Sequence, residues 1–318
     1  MRQPSPAPGE TMDDLLLIDS HTHIYRTAEI GRQAVSGLNP DLLWYGTVPE
    51  LLQCMEQAGV SHAVVLTVTP TREMREKAEA ALPPDLPEPR RREELEAIRV
   101  RMVERMRRNN AWGAQVGREH PNLFPFVNVD PFIMSAQEWH DELDSLRRAG
   151  ARGIKLLPIQ HLFRGDHRAL WPIYDYAQAH DMPILTQSGD SRVGHEEEPW
   201  GRPAPFAAAL EEFPRLKLIM AHFGRGFEQE VVELAQRFPG AYFDLSSRFP
   251  GDRRGGHWSA EELVGWVRRA GVGHVLFGSN WPIYDMLQDA ALARALPFTP
   301  DERRAVLRDN AAALLAVG

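Results

Sequence analysis

The chain reads as an α/β protein of the (β/α)8 barrel type, and three observations point that way. Eight short β-branched or aliphatic runs recur along 318 residues, each followed by an amphipathic segment. The runs are continuously apolar rather than alternating, as parallel strands covered on both faces are. No G-x-G-x-x-G follows the first run, which removes the main sequence support for a doubly wound dinucleotide-binding sheet.

In order, the expected strands are "LLLID" (15–19), "HAVVLTV" (62–68), "LFPFVNV" (123–129), "GIKLL" (153–157), "PILTQ" (183–187), "LKLIMAH" (216–222), "AYFDLS" (241–246) and "HVLFGSN" (274–280). After the third strand, "SAQEWHDELDSLRRAG" places Trp139, Leu143 and Leu146 on one helical stripe. It opens with Ser135 three residues before Glu138, a capping box. Ser259 with Glu262, and Thr299 with Glu302, repeat that signal before the seventh and eighth helices. Gly150, Gly240 and Gly271 fall between helix and strand, where a left-handed stop is expected. The second strand-to-helix connection is long, an insertion over about 70–112. It carries "PPDLPEPRRREE" and then a helix with the stripe Leu95, Ile98, Met102 and Met106. Because it follows a strand it should rise on the catalytic face, either as a lid or as a helix packed over the rim. Residues 1–12 are expected to be a disordered segment and 13–318 a single barrel domain.

Net charge is −8 and the pI about 5.9, so no global field draws the chain to nucleic acid. The densest basic stretch, "RVRMVERMRRNN", lies among glutamates and reads as the solvated face of a helix. The single cysteine, Cys54, cannot form an intrachain disulfide and sits at helical spacing as a small buried side chain. The opening "MRQPSPAPGE" has no apolar h-region, and no 18-residue apolar run occurs. The expectation is a soluble, cytoplasmic protein acting on a small molecule, with no nucleic-acid or membrane partner and a homodimer as one assembly open to it.

In such a barrel the chemistry comes from the C-terminal ends of the strands. Strand one runs into "HTH", and His21 and His23, at i and i+2, point to the same side. With 12 histidines, chance alone supplies about 0.5 such pairs, so the other strand ends have to decide. Strand four carries Lys155, strand five ends at Gln187, strand six at His222, strand seven at Asp244 and strand eight at Asn280. His21, His23 and His222 gathered at one mouth are a set for one divalent metal ion, Zn²⁺ or another borderline ion. His62, His120, His140, His167, His180, His257 and His274 lie on helices, strand starts or loops away from it.

"DSHTHI", "RGIKLLP", "PILTQSG", "LIMAHFGRG" and "VLFGSNWP" resemble the strand-end motifs of the amidohydrolase superfamily, in its decarboxylase-like and lactonase-like branch. Smaller echoes are "RRNNAWGAQVGREHPNLFPFVNVDP" and "DNAAALL", and the resemblance runs from about residue 15 to 315. It implies a His-x-His after strand one, a His after strand five, a His after strand six and an Asp after strand eight. His21, His23 and His222 match, whereas Gln187 and Asn280 replace the usual His and Asp. Gln offers only a carbonyl oxygen, and Asn280 cannot accept a proton near pH 7. A positioned general base is worth roughly 10²–10⁴ in rate, about 3–5.5 kcal/mol. Lys155, if burial depresses its pKa, and Asp244 are the nearest replacements. Asp190, His195 and Glu196 to Glu198 stand just beyond strand five.

The leading expectation is hydrolysis of a lactone, ester or amide of a small carboxylate-bearing substrate by a metal-bound or His-positioned water. His222 and the ion would polarise the carbonyl, Asn280 would orient the water, and Lys155 would handle the proton. Gln187, Arg225 and Trp281 would contact substrate, with Trp281 and Phe223 as flat walls. The alternative implied by the resemblance is metal-dependent nonoxidative decarboxylation of an aromatic or enoic carboxylate. A metal-free site that uses its histidines for hydrogen bonding is a third reading, and a non-catalytic binder with a decayed site a fourth.

Overall fold

A computed structural model of the protein describes residues 15–39, 41–189, 200–250 and 258–317. Eight parallel strands form one sheet in sequential order. They are β1 (Leu17–His23), β2 (Val60–Thr67), β3 (Leu123–Val129), β4 (Gly153–Leu156), β5 (Ile184–Thr186), β6 (Leu218–Met220), β7 (Ala241–Asp244) and β8 (Val275–Leu276). All eight coincide with expected runs, although β1 continues through the His-x-His instead of stopping before it.

The sheet closes where β8 and the chain after it meet β1. Ser20 N donates to Phe277 O at 2.9 Å, Asn280 N to His21 O at 2.8 Å, and His23 N to Trp281 O at 2.7 Å. Side chains then alternate between two cores, as parallel strands in a barrel require. Ile18, Val64, Leu66, Phe124, Phe126, Leu185, Ile219 and Leu276 fill the interior, while Leu17, Val65, Val127, Ile154, Leu156, Leu218 and Phe243 pack outward under the helices. Lys155 stands between the outward pair Ile154 and Leu156 and opposite Asn128 and Leu185, so it faces the barrel interior.

The helical starts follow the expected signals. Ser135 with Glu138, Ser259 with Glu262, and Thr299 with Glu302 each form a capping box, and Thr47 with Glu50 forms another. Gly150 (φ +110°) and Gly271 (φ +97°) adopt the conformation that favours glycine. Gly240 does not; it is required for close approach, since a Cβ there would lie 2.1 Å from the Leu216 carbonyl oxygen. The long second connection forms a helix at Thr71–Ala80 and a 32-residue helix at Glu88–Glu119. Ile98, Met102 and Met106 of the expected stripe are buried and Leu95 partly so. The helix continues past the expected insertion limit, burying Asn110, Gly113, Ala114 and Val116. Asn110 Oδ1 accepts from Asn128 N, tying the far end of this helix to β3.

Asn310, in the closing "DNAAALL", donates to Val272 O and Val275 O, which fixes the last helix under β8. Cys54 is buried, as expected. No described helix is long and apolar enough to cross a membrane. The expected disordered segment, residues 1–12, lies outside the described residues.

Candidate active site at the mouth of the barrel

His21, His23 and His222 meet. Ring centroids of His21 and His23 are 5.3 Å apart, and those of His21 and His222 are 5.2 Å apart. Asp244 organises the group. Its Oδ2 lies 2.9 Å from His21 Nδ1, and its Oδ1 accepts from His222 N and Ser246 N, each at 3.0 Å, and from Ser246 Oγ. Ser246 Oγ, its proton committed to Asp244, lies 2.8 Å from His222 Nδ1 and can accept from it.

These contacts determine the tautomers. An ionised Asp244 takes the Nδ1 proton of His21, and Ser246 takes that of His222, so both rings keep a bare Nε2. Burial by itself raises the Asp244 carboxyl, but His21, His222 and Ser246 outweigh it and hold the group well below the usual carboxylate range. Burial lowers all three imidazoles, which are neutral at pH 7. His23 Nε2 is 3.1 Å from Asn280 Oδ1, and its buried Nδ1 has no hydrogen-bond partner.

Local backbone geometry positions the set. His222 (φ 60°), Phe223 (φ 47°), Ser247 (φ 57°) and Asn280 (φ 59°) are left-handed non-glycine residues at the ends of β6, β7 and β8. Such residues cost about 1–3 kcal/mol each and cluster where function demands a particular side-chain direction. Gly278 admits the His21–Asp244 pair: a Cβ there would stand 3.1 Å from His21 Cβ and 3.3 Å from Asp244 Cβ. Beneath them is Asp19, whose Oδ1 accepts from His21 N at 2.9 Å and Ser279 N at 3.1 Å. Burial pushes its carboxyl up to about 7, against those hydrogen bonds.

The remaining expected residues divide. Lys155 is 2% exposed, and burial lowers its amine to about 7 although Asp244 pulls the other way. Its charge acts on all three imidazoles, which places it in the same mouth. Gln187, at the end of β5, keeps a buried Oε1 with no hydrogen-bond partner. Arg225 donates through Nη2 to Ser247 Oγ, itself 3.1 Å from His222 Nδ1, and its buried Nε has no hydrogen-bond partner.

Trp281 and Phe223 do not supply the expected walls. Both are 0% exposed in the outer core; Trp281 reaches Cys54, and Phe223 packs on Phe243 and Trp258. The left-handed residues at and before these positions turn their rings away from the mouth. Asp190, His195, Glu196 to Glu198 and His257 lie outside the described residues.

Sequence reasoning passed over Ser246, Ser247, Asp19 and His161. The first two stand two and three residues after Asp244, and Asp19 is two residues before His21, so nearness in sequence was the available signal. His161, after β4, is buried with Nε2 3.1 Å from Thr71 Oγ1, and Thr71 Oγ1 donates to Asp130 Oδ2 at 2.5 Å. This cluster links the ends of β3 and β4 to the start of the long insertion. A cavity of about 510 Å³ lies at the opposite end of the barrel, lined by residues such as Arg152, His180 and Pro183 near the strand starts. The imidazole cluster, at the strand ends, is the better catalytic candidate.

A family model described as amidohydrolase matches residues 18–317. The chain belongs to the amidohydrolase family. No curated protein matches it. Among solved structures, a dihydroxybenzoic acid decarboxylase from Polaromonas sp. JS666, with bound manganese and the inhibitor 2-nitroresorcinol, is 16% identical, covers 95% of this amidohydrolase and 97% of its own chain, and has a TM-score of 0.67. A 5-carboxyvanillate decarboxylase from Sphingomonas paucimobilis is 16% identical at 96% and 100% coverage, with a TM-score of 0.62. A protein from Pseudomonas putida, provisionally assigned as a 2-pyrone-4,6-dicarboxylic acid hydrolase, is 17% identical at 95% and 98% coverage, with a TM-score of 0.59. At these identities the likeness is one of fold, and this amidohydrolase shares the barrel with both reaction types.

Proposed function

We propose that this amidohydrolase hydrolyses a lactone, ester or amide bond in a small carboxylate-bearing molecule. The observation that carries the reading is Lys155, a buried amine lowered to about 7 in the same mouth as three neutral imidazoles. It supplies the base that Asn280 cannot be. In its neutral form Lys155 accepts the proton of a water held between the rings. Asn280 orients that water through its amide while bound to His23. Arg225, whose Nε has no hydrogen-bond partner and whose Nη2 is fixed by Ser247, takes the substrate carboxylate. The structural neighbour that supports this choice is the protein provisionally assigned as a 2-pyrone-4,6-dicarboxylic acid hydrolase, whose named substrate also bears carboxylates.

The donor chemistry fits a divalent ion. Two imidazoles have Nδ1 held by Asp244 or Ser246 and Nε2 bare, the pattern metal-ligating histidines adopt. His23 Nε2 donates to Asn280 Oδ1, which leaves its buried Nδ1, with no hydrogen-bond partner, as the third bare nitrogen. His21, His222 and Asp244 also have ligand atoms within 4.8 Å of one another. Asp244 already accepts from His21, His222 and Ser246, so we assign it to holding the rings. His21, His23 and His222 would hold the ion, zinc by its preference for imidazole. When bound, the ion supplies Lewis-acid polarisation of the scissile carbonyl and acidifies water.

A second reading, nonoxidative decarboxylation, is supported by the two decarboxylases among the structural neighbours and by the protonated form of Lys155, a proton donor to carbon. A panel of carboxylated lactones and hydroxybenzoates, assayed with carbon dioxide detection and elemental analysis, separates the two. Hydrolysis should rise with pH through about 7 as Lys155 loses its proton. Carbon dioxide release from hydroxybenzoates that falls above that pH, with no lactone turnover, would reverse the assignment.

Asn280→Asp tests the same assignment from the other side. A carboxylate beside His23 raises the Lys155 pKa by about 1 unit or more and repels the substrate carboxylate. Turnover at pH 7 is expected to fall about tenfold, with the pH limb shifted upward. A tenfold gain would mean that the amide marks a decayed site.

A further inference from the structure

Lysine and arginine total 36, yet only three are lysine: Lys77, Lys155 and Lys217. Lys77 is exposed on the helix Thr71–Ala80, and Lys217 is ion-paired to Asp181 at 2.6 Å. Of the two cations buried among the described residues, Arg248 pairs with Glu228, and a chain that uses arginine almost everywhere else keeps the second as lysine. Among the described residues it gives that cation no carboxylate within 4.0 Å. Arginine would supply the charge, but only the amine can become a neutral nucleophile.

We propose that Lys155 is a covalent catalytic residue that forms an imine with a 3-oxo carboxylic acid and decarboxylates it. This goes beyond the hydrolytic reading, because the amine acts as nucleophile rather than base. The geometry supplies each requirement. Nζ belongs to an inward-facing residue at the end of β4, level with Asn128 and Leu185, in the mouth where substrate enters. Asp244, close enough to act on Lys155, balances the positive charge of the iminium. Arg225, held by the Ser247 that contacts His222, engages the carboxylate before it leaves. The lowered pKa of Lys155 keeps part of the amine neutral near pH 7.

The Nζ lone pair adds to the ketone carbon, and the C–O bond breaks. Oxygen leaves as water with one proton from the amine and one from solvent, so the product is a protonated imine. Its nitrogen accepts the electron pair released as the bond to the carboxylate carbon breaks and carbon dioxide departs. The resulting enamine takes a proton on carbon, and water hydrolyses the imine, returning the ketone product and the free amine.

The test is reductive trapping of the unaltered protein with acetoacetate and sodium cyanoborohydride, followed by peptide mapping and by carbon dioxide measurement in a parallel sample without reductant. The expected result is a reduced adduct on the peptide containing Lys155 at more than tenfold the occupancy of the Lys77 peptide, with carbon dioxide release that Lys155→Arg abolishes. Labelling confined to Lys77, Lys217 and the terminal amine would overturn the proposal, and this readout does not depend on any variant folding. Lactone turnover plays no part in the trap, so the hydrolytic reading and this one can fail separately.

Discussion

Asp244→Asn is expected to lower kcat/KM by about 10³–10⁴ and to cost about 2–4 kcal/mol of folding stability. The carboxylate faces donors on both oxygens: His21 Nδ1 on one, and His222 N, Ser246 N and Ser246 Oγ on the other. An asparagine has one acceptor and one donor end, so either orientation points an amide N–H at an N–H. If the amide oxygen keeps the backbone pair, His21 must accept at Nδ1 and carry its proton on Nε2. That tautomer removes the bare nitrogen the mouth requires. Steady-state kinetics and urea denaturation read the two effects, and metal content of the purified variant reads the lost ligand. A variant within tenfold of the parent would show that Asp244 does not hold the tautomer. The linkage has a definite sign. Because the folded pKa lies below the ordinary 3.8, the Asp244 contribution is present above that pH and is lost as pH falls through the folded value.

The meeting of His21, His23 and His222 was legible because it needs only two regularities. Parallel strands run in one direction, so their C-terminal ends share a face, and residues at i and i+2 on a strand point together. What lay beyond β6 and β8 was not legible by that alternation. His222, Phe223 and Asn280 are left-handed, and each such residue resets the side-chain direction that alternation assumes. Phe223 and Trp281 consequently turn into the outer core, where they looked like walls of the mouth. Ser246 escaped notice for a related reason. Its hydroxyl is unremarkable until folding sets it between Asp244 and His222, and its place two residues after Asp244 says nothing of the contact with His222. Gly240 is the reverse case. A glycine was expected there, but the force that selects it is the approach of the Leu216 carbonyl and not a left-handed stop.

Lys155→Met is expected to move activity and stability in opposite directions. Loss of the amine should lower turnover by about 10²–10⁴, the contribution of a positioned general base. Stability should rise, because a methionine of similar length fills the same inward position without a charge to desolvate. Burial holds the folded pKa at about 7, against 10.5 for the free amine. Between those values the unfolded chain binds the extra proton, so the parent gains stability as pH rises from about 7 to 10.5. Below pH 7 both states are protonated and the full burial penalty applies, on the order of 5 kcal/mol at about 1.4 kcal/mol per pK unit. The variant should therefore exceed the parent by that order at pH 6, with the difference closing toward pH 10.5. Urea denaturation of both proteins at pH 6 and pH 10 measures it directly. A variant less stable than the parent at pH 6 would mean that the ammonium is satisfied in the fold, and the case for a functional amine would fail with it. Retaining a buried lysine at such a cost is intelligible if the neutral amine is needed for chemistry, the trade between stability and activity that strained sites display.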